Sequence, residues 1–156
     1  MPRSDPKSEN HQVKLILSTH LKEKQEKIFK VIEKLKEQSD KGTIILVEGK
    51  KDLIALRNMG ILGSIKTVKT GGKSLTCILS EIENQKIREV ILLMDFDRRG
   101  KELTKSLKKN LEHLRIKPIT KFWNALGSLT GRDIQCIEGL PSYLEKLRIS
   151  TNNVTV

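Results

Sequence analysis

The stretch Val90–Gly100, V-I-L-L-M-D-F-D-R-R-G, constrains this chain more than any other. Five apolar residues run into two aspartates and stop at an arginine pair and a glycine. An unbroken apolar run of this length, bounded by a turn signal, predicts a strand buried on both faces. Its aspartates then fall at the carboxyl end, where open α/β sheets place their ligands. In extended backbone Asp95 and Asp97 leave the same face, and Phe96 points the other way, into packing. Two like charges held together are costly without a counter-ion, and Mg²⁺ with its oxygen ligands is the usual one. A solvated acidic turn after a core strand has the same sequence signature.

Thr43–Lys50, T-I-I-L-V-E-G-K, is a second buried-type strand ending in an acid, Glu48, and a glycine. Two central strands delivering carboxylates to one sheet edge make a three-carboxylate cluster of Glu48, Asp95 and Asp97. V-E-G-K-K-D at Val47–Asp52, followed about 45 residues later by L-M-D-F-D-R-R-G, resembles the Toprim domain. That domain is shared by type IA and type II topoisomerases, bacterial-type primases, OLD-family nucleases, RecR-type recombination proteins and the ribonuclease that matures 5S ribosomal RNA. The resemblance spans Gly42–Leu147 and is to a small, stand-alone, archaeal-type member. It implies an α/β, Rossmann-like fold: about four strands in a mainly parallel sheet flanked by helices. It also implies that Glu48 moves protons while Asp95 and Asp97, with Glu48, hold Mg²⁺, for which Mn²⁺ can substitute.

The chain has 156 residues, room for one domain and an appendage. No run approaches the length of a transmembrane helix, and Met1–Asn10 is too polar for a signal peptide. Cys77 and Cys136 have neither metal-ligand spacing nor a disulfide framework, so reduced thiols in a cytoplasmic protein are expected. Of the net charge of +11, Met1–Gly42 carries +3 and Thr43–Val156 the remaining +8. An acidic pocket within a basic surface suits a polyanion held by its phosphates, and the resemblance to the 5S ribosomal RNA maturase implies RNA in preference to DNA. Three Phe, one Trp and one Tyr are too few for base stacking along an extended strand.

In chain order, residues 1–17 read as a disordered tail and residues 18–41 as a helical extension. In that extension Leu21, Ile28, Val31, Ile32 and Leu35 share one face, and Ser18 or Thr19 caps its start. The stripe packs on the sheet or forms a homodimer seam. Residues 42–149 form the Toprim domain. Its elements are the strand Thr43–Val47, a helix over Lys51–Met59 with Leu53, Ile54 and Leu56 inward, and a weaker strand, Ser64–Val68. A helix over Lys73–Glu83 comes next, with Cys77 as a core neighbour, then the strand Glu89–Met94 and a helix over Arg99–Leu114. Arg115–Ile119 is a fourth strand, placed at an edge by Pro118. Ser128–Asp133 reads as a loop, Pro141–Arg148 as a closing helix capped by Ser142 with Glu145, and residues 150–156 as a polar tail. Asp133 and Glu138 are either further metal ligands or, respectively, a turn residue and a surface charge.

Thr67–Ser74, T-V-K-T-G-G-K-S, resembles the end of a phosphate-binding Walker loop, but Thr67 stands where that loop needs its first glycine. Gly71, Gly72 and Lys73 read better as a turn at a helix N-terminus, able with Lys69 to hold a substrate phosphate. An aspartyl-phosphate phosphatase needs Thr or Val where Arg99 stands. Lys50, Lys51, Arg98 and Arg99 flank both acidic turns and are candidates to hold a nucleic-acid backbone.

Among Toprim activities, a topoisomerase needs a tyrosine nucleophile on separate gate domains, and Tyr143 falls in the closing helix. A primase needs further zinc and polymerase modules. With water as nucleophile, the expectation is a Mg²⁺-dependent nuclease in RNA (or DNA) processing. The alternative is a non-catalytic RNA- or DNA-binding module in a processing complex.

Overall fold

Strand and helix alternate along the computed structural model, which describes residues 6–69 and 75–152. The elements are α1 (Pro6–Asp40), β1 (Ile44–Val47), α2 (Lys50–Asn58), β2 (Ile65–Thr67), α3 (Leu75–Asn84), β3 (Glu89–Leu93), α4 (Arg98–His113), β4 (Lys117–Ile119) and α5 (Lys121–Thr130). A 3₁₀ turn, Ile137–Gly139, leads into α6 (Leu140–Asn152). The strands lie in the order β2-β1-β3-β4 and every pairing is parallel. Both acid-bearing strands are therefore central and adjacent, Val47 opposite Leu93 in register. Pro118 lies on the edge strand, as expected.

Alternation explains why both strands are apolar throughout. Ile45, Val47, Ile91 and Leu93 pack on one side with Ile28 and Leu35 of α1, Leu126 of α5 and Leu144 of α6. Leu46, Val90 and Leu92 pack on the other with Ile78 and Ile82 of α3 and Leu107 and Leu111 of α4. The α1 stripe thus covers the sheet rather than forming a seam with another chain.

Several expectations are corrected. The first helix starts at Pro6, not Ser18, so much of the expected disordered tail is helical. Lys, Glu, Gln and Leu favour helix strongly enough to extend it, and proline is tolerated in a first turn. Thr19 therefore lies inside α1, where its Oγ1 donates to the carbonyl of Leu15 rather than capping an end. Val13, Leu15, Ile16 and Leu17 of the added segment are exposed. The inward face of α2 is Asp52, Ala55 and Leu56, leaving Ile54 exposed. Cys77 is exposed rather than in the core. Ser128 and Thr130 belong to α5, because burial of Phe122, Leu126 and Thr130 outweighs their weak helix preference. Ser142 sits inside α6, which runs on to Asn152, and Glu145 pairs with Arg148 at 2.6 Å.

Candidate functional site

Two parallel neighbours that end level with each other bring the residues just beyond them side by side. Glu48 comes directly after β1, and its carboxylate is buried, 6% exposed. Its Oε1 accepts a hydrogen bond from the backbone N–H of Asp95 at 3.1 Å, so the two acid-bearing strand ends are tied to each other. Its Oε2 pairs with Lys69 Nζ at 3.3 Å. Lys69 comes from the loop after β2, held there by its own N–H on the carbonyl of Glu48 at 2.9 Å.

A third acid joins from α2. Asp52 is 6% exposed, and its Oδ2 accepts from the N–H of Gly49 at 3.1 Å, closing the first turn of the helix. Its Oδ1 accepts from the N–H of Glu138 at 2.9 Å, which anchors the 3₁₀ turn over the cleft. Oxygens of Asp52 and Asp95 and the sulfur of Cys136 lie within 4.8 Å of one another. Glu48, Lys50, Lys51, Asp52, Lys69, Asp95, Cys136 and Glu138 line one cleft of about 250 Å³.

Burial and the crowding of like charges act together on Asp95. Burial first, then the charges of Glu48 and Asp52, push the Asp95 carboxyl up to about 7. Burial likewise raises Asp52, against the lowering effect of its two backbone N–H donors. Burial also pushes the Cys136 thiol up. A divalent cation would relieve this repulsion, and the carboxylate oxygens of Asp52 and Asp95 are the hard donors Mg²⁺ takes. The thiol of Cys136 is too soft to favour it.

Asp97 is placed differently from the extended-strand reading. The chain leaves β3 at Leu93, so strict alternation stops before Asp97. Asp97 becomes the N-cap of α4, its Oδ1 accepting from the N–H of Gly100 at 2.7 Å. Phe96 does turn into packing, near-parallel to Trp123 with ring centres 6.4 Å apart. Arg98 and Arg99 are exposed on α4 and do not line the cleft; Arg98 pairs with Glu102 at 3.3 Å. Gly71, Gly72 and Lys73 lie outside the described residues. Glu138 is at the cleft mouth, 3.9 Å from Lys51. Asp133 is elsewhere, held by Lys24 at 3.1 Å and the hydroxyl of Tyr143 at 2.8 Å.

Asp52 is the acid that sequence reasoning misses. It closes the V-E-G-K-K-D stretch that carries the resemblance, but the three-carboxylate reading of Glu48, Asp95 and Asp97 gives it no role. Nothing in the sequence marks Cys136.

A family model described as the Toprim domain matches residues 42–120, a segment holding all four strands and Glu48, Asp52, Asp95 and Asp97. A UPF0292 protein of Methanocaldococcus jannaschii is 39% identical over 122 residues, covering 78% of this chain and 92% of that protein. Another, from Methanosarcina acetivorans, is 35% identical over 126 residues, 81% of this chain and 85% of its own length. The solved structure of a protein from Aquifex aeolicus matches with a TM-score of 0.60 at 30% identity, covering 70% of this chain and 94% of that one.

Proposed function

This chain belongs to the Toprim-domain family, and from that premise we propose that its carboxylate cleft performs Mg²⁺-dependent phosphodiester cleavage as a nuclease in RNA (or DNA) processing. The family membership itself suggests nucleic-acid processing with a bound metal. The observation that carries the finer reading is the convergence of Glu48, Asp95 and Asp52 at the carboxyl ends of β1 and β3.

In this reading Asp95 and Asp52 would hold the ion, and Asp97, whose Oδ1 caps α4, is the further acid that the resemblance assigns to it. When bound, Mg²⁺ or Mn²⁺ neutralises charge developing on the phosphodiester. Lys50 and Lys51, exposed at the start of α2, hold the substrate backbone. Lys69 turns from Glu48 to an incoming phosphate, releasing Oε2 to accept a proton from the attacking water. Tyr143 is engaged with Asp133 away from the cleft, which supports water rather than tyrosine as the nucleophile. Among the described residues no helix is long and apolar enough to cross a membrane.

One observation favours a second reading, a non-catalytic RNA- or DNA-binding module of a processing complex. Both oxygens of Glu48 are already engaged, as a purely structural acid would be. Wild type and Glu48→Gln assayed on labelled RNA and DNA, with and without Mg²⁺, separate the two. Cleavage requiring both Mg²⁺ and Glu48 supports the nuclease. Salt-sensitive binding without cleavage, unchanged in the variant, supports the module.

A further inference from the structure

Beside the carboxylates runs a groove formed by α1, α5 and the start of α4. It consists of two clefts that meet at Ser128 and Arg132. The inner one, about 320 Å³, is lined by Phe96, Trp123, Asn124 and Lys101. The outer one, about 460 Å³, brings Lys24 and Lys27 of α1 to face α5. Most of this groove comes from outside residues 42–120, the segment matched by the family model.

Position and chemistry together specify an occupant. Phe96 is the residue after Asp95, so the inner cleft and the carboxylate cleft lie one residue apart along the same loop. Trp123 is half-buried, and its Nε1 donates to the carbonyl of Met94 at 2.9 Å, which fixes the ring against the backbone just ahead of Asp95. The inner cleft is thus floored by a rigid aromatic pair, with an exposed amide, Asn124, beside it. Lys101 and Arg132 on its rim are exposed, and neither pairs with a carboxylate among the described residues. Of the acids in the outer cleft, Glu23 and Asp133, the second is already neutralised by Lys24. An aromatic floor, an amide and free cations together suit an unstacked base with its phosphates, as single strands present them and duplexes do not. The volume suits one nucleotide.

Resting on the nucleic-acid reading of the neighbouring cleft, we propose that this groove is the track of a single-stranded nucleic acid. One base lodges against Trp123, and the flanking phosphates lie on Lys27, Lys101 and Arg132. The strand is thereby delivered to the carboxylates with its backbone extended rather than in a helix.

Trp123 is the one tryptophan of the chain, so its emission reports on this cleft alone. Fluorescein-labelled oligouridylate and oligodeoxythymidylate are titrated onto wild type in EDTA at low salt, following label anisotropy and tryptophan emission together. The expected result is quenching of Trp123 with the same midpoint as the anisotropy rise, for RNA, DNA or both. Lys101→Glu combined with Arg132→Glu changes exposed residues only; it should bind about tenfold more weakly and lower the salt slope by about two. Binding without any change in Trp123 emission overturns the track, as does a double variant that binds like wild type. If the groove alone is wrong, Mg²⁺-dependent cutting still disappears in Glu48→Gln and persists in the double variant. If neither oligonucleotide is bound, the track falls; the nuclease reading falls with it only if labelled duplex and folded RNA and DNA are not cut in Mg²⁺ either.

Discussion

The backbone N–H of Asp95 donates to Oε1 of Glu48 across 3.1 Å, linking the first residue past β1 to the second past β3. One side chain thus holds the floor of the cleft together and supplies the group best placed to move a proton. The two roles can be separated. Glu48→Gln keeps an acceptor for that N–H and loses an ion pair with Lys69, whose side chain is 59% exposed. Its melting temperature should stay near wild type while cleavage falls about 10²- to 10⁴-fold. Glu48→Ala leaves the N–H without a partner and should also lose about 1–3 kcal/mol in urea unfolding. Equal instability of the two variants would show that the ion pair, not the hydrogen bond, holds the cleft.

Asp95 makes stability and metal binding depend on pH in a fixed direction. Its folded-state carboxyl lies at about 7, above the ordinary 3.8, so the folded protein retains a proton that the unfolded chain has released. The stabilisation from this group is present in full below about pH 4 and lost as pH rises through about 7. Mg²⁺ competes with that proton. Thermal melts should show Mg²⁺ raising the melting temperature little at pH 5 and clearly at pH 8. Asp95→Asn should flatten both dependences. An equal Mg²⁺ effect at both pH values would remove Asp95 from the ligand set.

Asp52 holds two backbone N–H groups that belong to different elements, Gly49 before α2 and Glu138 in the 3₁₀ turn. In Asp52→Asn one of these donors must face an amide NH₂, so one bond is lost. The expected cost is about 1–3 kcal/mol, with faster hydrogen exchange at Glu138. Exchange unchanged at Glu138 would mean that the turn is held by its own packing, with Ile137 fully buried.

Legibility in the sequence depends on which residues act alone. The strands around Ile45 and Ile91 are readable because burial on both faces leaves an unbroken apolar run, and the intervening helices imply their parallel order. The meeting of Glu48 with Asp95 is readable for the same reason, since each closes such a run. Asp52 is not, because its role depends on the N–H of Glu138, a contact across most of the domain. Lys69 reads as a phosphate ligand, yet it sits on Glu48 because the loop after β2 is pinned to that residue's carbonyl. Asp97 takes on the cap of α4, a role that the extended-strand reading does not contain. The early turns of α1 are obscured by Pro6 and by polar residues that also typify disorder.

Gly49 directly follows Glu48 and Gly100 lies five residues after Asp95, and the structure assigns the two glycines opposite tolerances. Gly49 has φ −138°, open to any residue, and a Cβ there would meet nothing nearer than Asp52 Oδ2 at 3.9 Å. Gly49→Ala should therefore fold with near-normal stability, even though a glycine after the acid is part of the motif. Gly100 lies in the first turn of α4, pressed against the loop that carries Asp95. A Cβ there would collide with the Asp95 carbonyl oxygen, a backbone atom that no rotamer change can move. Gly100→Ala must push α4 away from that loop, breaking the Asp97 cap or shifting Asp95 from Glu48. The expected cost is about 1–3 kcal/mol or more, with loss of the Mg²⁺-induced rise in melting temperature. Paired melts of the two alanine variants with and without Mg²⁺ decide it. If Gly100→Ala kept both stability and the Mg²⁺ response, the close approach of α4 would not be what holds Asp95 in the cleft.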